Sequence, residues 1–566
     1  LHGHERAYLY LKDGESESGA LTYAQLHHAA MRLAARLGEH VQAGDRALLV
    51  YPTGLEFVTA FWACLYAGIV AVPSAASPDG SSRGLSRLAA IAQDAGASAV
   101  LTTSAFLESA TESLHLPALA TDHALNDVGN EPLFMPPSAN DLAFLQYTSG
   151  STGAPKGVMV THANLVANEQ MIFDACRHED RVLFVGWLPL FHDMGLIGNM
   201  LHPVFAGGQA VLLSPIAFLR RPLRWLRAIT TYRATVSGGP NFAYDLCVAA
   251  LRGTQDDSLD LSSWRAAFSG AEPVRAATLR RFTDSFQYAG FNRRSWFPSY
   301  GLAEATLFVS GTHGRDPLIL TANSVSLEAG AAVSAPEGVQ GREIVSCGPG
   351  VLDERIRIVD ADRREPRALD TVGEVWVAGP HIAAGYWQRP EETARDFGAY
   401  LADGDGPYLR TGDLGFVRDG ELYIAGRSKD VIIVRGRNLF PHDIEATAEV
   451  ADPRLRPGCS AAFSLDDGQE RVIVVQEVAR QFIGHDLTGI APAIVMAVST
   501  EHGVGLDAVV LVKPGNVPKT SSGKVQRSLC RRQWLRDELS VVQIWINPLW
   551  KPPVVRTRND ADATAG

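Results

Sequence analysis

Residues 148–156 carry four hydroxyl side chains (Thr148, Ser149, Ser151, Thr152), two glycines (Gly150, Gly153) and Lys156, directly behind the apolar run AFLQY. Backbone N–H groups opened by glycine, hydroxyls and an ammonium group are what phosphate oxygens need. The Walker A order G-x-x-x-x-G-K-[ST] is not met, because Ala154 and Pro155 separate Gly153 from Lys156, and Gly157 follows the lysine. Taken alone, the stretch fits a surface loop equally well. Other residues invite chemistry and have bland readings too. Glu304 follows the turn-like PSYG and fits a ligand carboxylate or a solvated helix acid. Asp413, between glycines in RTGDLG, fits a turn aspartate. Arg427 ends the run GELYIAGR, Lys524 lies in the flexible-looking KTSSGK, and His192 in WLPLFHDMGL fits a core histidine as readily as a functional one.

The elements that must position these residues are legible in outline. RALLVYP, IVAVP, SAVLTT, LAFLQYT, VLFVGWLPL, QAVLLS, ATVSGG and AAFSGAEP are short continuous apolar runs alternating with helical stretches, the pattern of strands covered on both faces. The expectation is an α/β fold with a largely parallel sheet. Phe57–Pro73 reads as a helix, a stop at Gly68 and a buried strand rather than a membrane span. From about Ile344 the strands become shorter and more polar (ERIRIVD, GEVWVAGP, GELYIAGR), predicting a small antiparallel, barrel-like subdomain. After Arg427 there is material for a compact α+β domain, and KPPVVRTRNDADATAG reads as a tail.

Composition narrows the classes. A chain of 566 residues is too long for one ordinary core, and 46% hydrophobic with 20% charged residues is a globular balance. A net charge of -11 argues against a nucleic-acid footprint spread over the molecule. Six scattered cysteines, with no C-x-x-C and no His/Cys cluster at zinc-ligand spacing, suit a reduced setting, and the N-terminus shows no signal-peptide pattern. The expectation is a cytoplasmic monomer without a membrane span.

YTSGSTGAPKGV, FHDMGL, SGAEPV, SYGLAEAT, YLRTGDLG, GRSKDVIIVRG and PKTSSGKVQR follow one another along nearly the whole chain. Together they resemble the signatures of the adenylate-forming superfamily of acyl-CoA synthetases, nonribosomal peptide adenylation domains, luciferases and fatty acyl-AMP ligases. The resemblance implies ATP and Mg2+ as cofactors. It implies that Thr148 to Gly153 and Lys156 hold phosphates, and that Glu304 with Thr148 holds Mg2+. Ser299, Tyr300, Gly301, Leu302 and Ala303 would contact the nucleotide, with Tyr300 stacked on adenine and Gly270, Ala271 and Glu272 as the opposite wall. Asp413 and Arg427 would take the ribose, Lys429 would be the hinge, and Lys524 would bridge the acyl carboxylate and the α-phosphate. His192 would gate an acyl pocket near the substrate carboxylate, with Asp193, Met194, Ile197 and Met200 as lining. Periodicity does not separate lining from core packing here.

The wording of GWLPLFHDMGLIG and GRSKDVIIVRGRNLFPHDIE resembles fatty acyl-AMP ligases most, and the long stretch between SYGLAEAT and CGPG resembles their insertion. The implied organisation is 1–427 as the adenylate-forming domain, with 312–346 as the insertion, 428–546 as a mobile C-terminal domain and 547–566 as tail or linker. The implied reaction is fatty acid plus ATP giving fatty acyl-AMP and pyrophosphate. The acyl group would then pass to the phosphopantetheine arm of an acyl carrier protein in a polyketide or nonribosomal peptide pathway. No carrier-like Asp-Ser-Leu helix follows Lys551, so the expectation is a carrier on another chain or one removed from this sequence. The alternatives are an acyl-CoA synthetase and a non-catalytic acyl-nucleotide-binding protein.

Overall fold

Gly68, at φ 66°, ends the helix Leu55–Ala67 and releases the chain into the strand Val70–Ala75, which lies parallel to Arg46–Tyr51. A left-handed residue at this point favours glycine, so the apolar stretch from Phe57 to Pro73 folds as helix, stop and strand. No helix among the described residues is long and apolar enough to cross a membrane. The computed structural model describes residues 2–75, 82–122, 136–148, 155–178, 181–339, 341–352, 354–434, 437–467, 469–520, 523–550 and 552.

The described chain divides into two units. The first spans most of residues 2–323 and 332–424, and the second contains 324–331 and the residues from 425 onward.

The first unit holds two large sheets. One has the order Ala118–Ala120, Ala99–Thr102, Arg46–Tyr51, Val70–Ala75, Leu142–Thr148, Lys156–Thr161. It is parallel except where the last strand returns antiparallel to Leu142–Thr148, with Thr148 opposite Lys156. The other runs Phe308–Gly311, Trp296–Gly301, Ala266–Ser269, Val236–Gly238, Leu183–Gly186, Gln209–Leu213, Arg6–Leu11, Gly19–Thr22. Its two edge strands are antiparallel and the rest parallel.

Leu48, Leu49, Val72, Leu101, Phe144 and Leu145 are fully buried, as burial on both faces of a parallel sheet requires. The run VLFVGWLPL yields a strand only over Leu183–Gly186. Beyond it Trp187 leaves the ladder to stack on Phe218, with ring centroids 4.0 Å apart. A five-stranded antiparallel sheet follows, in the order Glu365–Pro366, Arg355–Asp360, Gly373–Ala378, Leu409–Arg418, Glu421–Arg427.

The second unit is built on a four-stranded sheet of Leu455–Asp466, Glu470–Val478, Ala508–Val512 and Val541–Ile546. The helices Pro441–Val450 and Ile490–His502 bury Ile444 and Ile494 against Val474 and Val509 on one face. Cys530 and Trp534 of Arg527–Leu535 join Val475 and Val510 on the other. Trp550, which the sequence assigns to the tail, is only 4% exposed and donates its indole N–H to Asp467 at 2.7 Å, so 547–550 belongs to this core. The short helix Ser324–Glu328 belongs to the same unit. Arg437 grips the Glu328 carboxylate with contacts of 2.8 and 3.1 Å, and Asn438 donates to the Glu328 carbonyl at 3.1 Å.

Candidate active site

Ser149, Gly150, Ser151, Thr152 and Gly153 lie outside the described residues, but both strands that carry their loop are defined. Lys156 opens the second of these strands. Its ammonium pairs with the Glu392 carboxylate and stands 5.0 Å from the centre of the Tyr386 ring, within cation–π range. Glu392 sits in the first turn of the helix Pro390–Phe397, where the helix dipole favours a carboxylate. The hydrogen bond from Lys156 holds its pKa below the usual range. The Tyr386 hydroxyl donates to Glu304 Oε1 at 2.9 Å. Thus Thr148, Lys156, Tyr386 and Glu304 are connected by strand register, ring contact and hydrogen bond.

Glu304 occupies a tight turn, Ala303–Ala305, rather than a longer helix. Its carbonyl accepts from the Ala383 N–H at 3.0 Å. The next turn residue, Thr306, is left-handed at φ 66° and is secured by its hydroxyl donating to the His381 carbonyl at 2.7 Å. Among the described residues Glu304 Oε2 has no hydrogen-bond partner, leaving a half-exposed oxygen donor of the kind a hard cation takes.

A second group forms around Tyr300, whose hydroxyl donates to Asp413 Oδ2 at 2.8 Å. Asp413 is placed by a strand irregularity between Glu374 and Trp376. There the Gly412 N–H donates to Glu374 Oε1 at 3.1 Å, and the Asp413 N–H to Thr411 Oγ1 at 3.0 Å. Opposite the strand Trp296–Gly301, Gly270 packs so closely that an added Cβ would lie 3.0 Å from Ser299 Oγ, and Ala271 adopts φ 68°. At Gly301 a Cβ would fall 1.9 Å from the Leu307 carbonyl oxygen, so no side chain fits. Ser299, Leu302 and Glu272 are half-buried and Ala303 is buried.

His192 Nδ1 hydrogen-bonds Asp193 Oδ1 at 2.5 Å, and the same carboxylate oxygen accepts from the Met194 N–H at 2.7 Å. Asp193 therefore caps the helical segment Met194–Leu201, whose wide π-type turns depart from the α-helical spacing expected from sequence. Gln146 donates to the Phe191 carbonyl at 3.0 Å, tying this segment to the strand Leu142–Thr148. Of the candidate pocket residues, Ile197 and Met200 are fully buried in a core with Phe61, Phe144 and Leu212, while Met194 is only partly buried.

Arg427, Lys429 and Lys524 belong to the second unit. Arg427 and Lys429 are exposed, at a strand end and in the turn Ser428–Asp430. Lys524 bonds Thr520 through its main chain, and Ser521 and Ser522 between them lie outside the described residues. The Thr520 N–H donates to the Lys524 carbonyl at 2.8 Å, the Lys524 N–H to Thr520 Oγ1 at 3.1 Å, and Lys519 bridges to Val525. Sequence reading missed Tyr386 and Glu392. The local pattern GYWQRPEET, with Pro390 followed by two acids, marks a helix start but gives neither residue's partner.

A doubly sheeted α/β unit with these motif residues at its strand ends, followed by a smaller α+β unit, defines the AMP-binding, adenylate-forming class. The profile described as AMP-binding enzyme matches residues 2–387, and that of the Disco-interacting protein 2-like AMP domain matches 429–544. The chain belongs to the AMP-binding enzyme family, among the fatty-acid AMP and acyl-carrier-protein ligases. It is 44% identical to the medium-chain-fatty-acid–[acyl-carrier-protein] ligase JamA of Moorena producens, over 94% of this chain and 93% of that one. Identity is 35% to the ligase of the same description, TtuA, of Teredinibacter turnerae, over 97% and 94%. Among solved structures, the fatty acyl-adenylate ligase of Legionella pneumophila in complex with acyl adenylate and pyrophosphate is 38% identical. It superposes with a TM-score of 0.73 and coverage of 96% and 95%.

Proposed function

We propose that the protein activates a fatty acid with ATP, forming fatty acyl-AMP and pyrophosphate, and passes the acyl group to the phosphopantetheine thiol of an acyl carrier protein. The observation that carries this reading is the 44% identity, across nearly the full length of both chains, to a ligase named for that transfer. The names of both relatives favour a medium-chain acid.

In the first half-reaction a carboxylate oxygen attacks the α-phosphorus and the bond to the β-phosphate oxygen breaks. In the second, the carrier thiol attacks the acyl carbon, releasing AMP and a proton. Lys156 would exchange Glu392 for the departing phosphates, a like-for-like replacement of one anion by another. Glu304 Oε2 and the Thr148 hydroxyl are oxygen donors that suit Mg2+, which would arrive with ATP and neutralise phosphate charge. Tyr386 orients that carboxylate.

Tyr300 would stack on adenine, its ring fixed by the bond to Asp413, across from Gly270, Ala271 and Glu272. Asp413 would accept from the ribose hydroxyls, aided by Arg427. His192, held by Asp193, would face the substrate carboxylate, and Lys524 would neutralise charge between that carboxylate and the α-phosphate. Lys429 would be the residue whose backbone rotation repositions the second unit between half-reactions.

The direct test supplies ATP, Mg2+ and a graded series of fatty acids, with and without CoA and a phosphopantetheinylated carrier, and reads products by mass. Acyl-AMP and acyl-carrier are expected. Abundant acyl-CoA would make the protein an acyl-CoA synthetase, and absence of fatty-acid-dependent pyrophosphate release would make it a binding protein.

Two substitutions probe the site. Glu304→Gln retains an acceptor for Tyr386 but loses the charge, and should lower fatty-acid-dependent pyrophosphate release about a hundredfold. It should also shift the Mg2+ requirement upward, and an unchanged Mg2+ titration would remove Glu304 from that role. Asp413→Ala should raise KM for ATP about ten- to a hundredfold through loss of charge-assisted hydrogen bonds, with little change in KM for the fatty acid. Equal shifts in both would place Asp413 outside the nucleotide site.

A further inference from the structure

The helix His162–Cys176 follows the strand that Lys156 opens, and ends at Arg177, a non-glycine residue at φ 46°. That left-handed turn separates Cys176 from His178. His202, which closes the segment Met194–Leu201, meets them from the other side. His178 Nε2 and His202 Nε2 are 3.0 Å apart, and the ligand atoms of Cys176, His178 and His202 all lie within 4.8 Å of one another. His202 is 1% exposed and Cys176 5%.

The proton inventory of this cluster is distinctive. Buried Glu169 Oε2 lies 2.9 Å from His202 Nδ1, and the tautomer with its proton on Nδ1 presents Nε2 as a lone pair toward His178. The other Glu169 oxygen, Oε1, is buried with no hydrogen-bond partner among the described residues. His313 Nε2 donates to the Cys176 carbonyl at 2.6 Å, so it supports the backbone and leaves the thiol to face the two imidazoles.

We propose that Cys176 Sγ, His178 Nε2 and His202 Nε2 form a three-ligand Zn2+ site, with Glu169 behind His202. One sulfur and two imidazole nitrogens match the preference of this borderline-soft cation. Zinc bonds of about 2.0–2.3 Å in tetrahedral geometry set ligand atoms about 3.3–3.8 Å apart. That spacing falls between the 3.0 Å and 4.8 Å seen here, so small side-chain adjustments bring all three to the ion. A carboxylate behind a ligating histidine is the usual outer partner of zinc. On binding, the thiol proton leaves to solvent, and a water completes the coordination.

Such an ion would fasten the end of the segment that begins beside His192 to the helix that follows Lys156. Sequence hides it, because His202 stands 24 residues beyond His178 and no short motif links them.

The test uses untagged full-length protein. After dialysis, elemental analysis should find about one zinc per chain, the complement of a single tetrahedral site. Chelation should lower Tm, and added Zn2+ should restore it. Replacing zinc by Co2+ should produce a thiolate-to-cobalt charge-transfer band and intense tetrahedral d–d bands. Cys176→Ser should abolish the charge-transfer band. His178→Gln, at a partly exposed position, should weaken zinc binding at least about tenfold. Wild-type protein that takes up no zinc and gives no cobalt–thiolate band would show a hydrogen-bonded imidazole pair only. Zinc binding unchanged in both variants would equally overturn the site. If one variant fails to fold, the wild-type cobalt spectrum decides.

Discussion

Lys524→Ala should abolish fatty-acid-dependent pyrophosphate release while leaving transfer from preformed acyl-AMP to the carrier nearly intact. The proposed role is charge stabilisation in the adenylation step alone, and removing one such group from an active site costs about a hundredfold or more. The substitution is clean because the bonds between Lys524 and Thr520 are made by main-chain groups of Lys524. Its N–H bonds Thr520 Oγ1 and its carbonyl accepts from the Thr520 N–H, and both survive in alanine. Folding of the second unit, read as Tm, should therefore be unchanged. Lys519 is the internal control, since its ammonium sits 3.3 Å from Cys459 Sγ within the second unit, and Lys519→Ala should spare adenylation. Equal loss of both half-reactions in Lys524→Ala would contradict the assignment.

What the sequence revealed and what it hid follow from the range of the interactions involved. Val70–Ala75 and Leu142–Thr148 were legible because strands covered on both faces must be apolar at successive positions, whatever their neighbours. The stop at Gly68 was legible because a left-handed residue is a local requirement. Family motifs, not periodicity, singled out Glu304, Asp413 and Lys524, since each has an ordinary turn or surface reading.

The partners of those residues were not legible. Glu392 meets Lys156 across 236 positions, and Tyr386 meets Glu304 across 82. Neither Tyr386 nor Glu392 stands out by type. The π-type turns of Met194–Leu201 escaped because their spacing matches no α-helical template, so the burial of Ile197 and Met200 beside Phe61 and Phe144 was not legible from periodicity. Composition gives no sign that Thr520 commits its hydroxyl and its N–H to main-chain groups of Lys524. Trp550 escaped because a single aromatic residue before a polar tail has no periodic context, and only Trp534 and Asp467 explain its burial.

The segment 312–346 should decide the fate of the acyl-adenylate, and removing its helix should let CoA compete. Its strands Ile319–Ala322 and Arg342–Val345 pair with each other, and the helix Ser324–Glu328 lies between them in the chain. Within the second unit Glu328 is held by Arg437 through two contacts and by Asn438 through its carbonyl. Chain connectivity then makes this helix an additional tether on the second unit, beside the crossing after Ile424.

A thioester-forming rearrangement would have to break or carry that tether. With the Glu328 side chain 11% exposed and Arg437 39% exposed, the pair lies between a weak surface bridge and a costly buried one. Glu328→Ala together with Asn438→Ala should therefore yield measurable acyl-CoA from ATP, fatty acid and CoA where the parent yields little, and deletion of 324–331 should yield more. Arg437 is the poorer choice for substitution, because it also donates to the His502 and Gly503 carbonyls and its loss would disturb the end of the helix Ile490–His502. Adenylate formation should stay near the parent rate in each variant, which separates release of the tether from damage to the site. Intact adenylation with no acyl-CoA in the deletion variant would mean that product choice is set elsewhere.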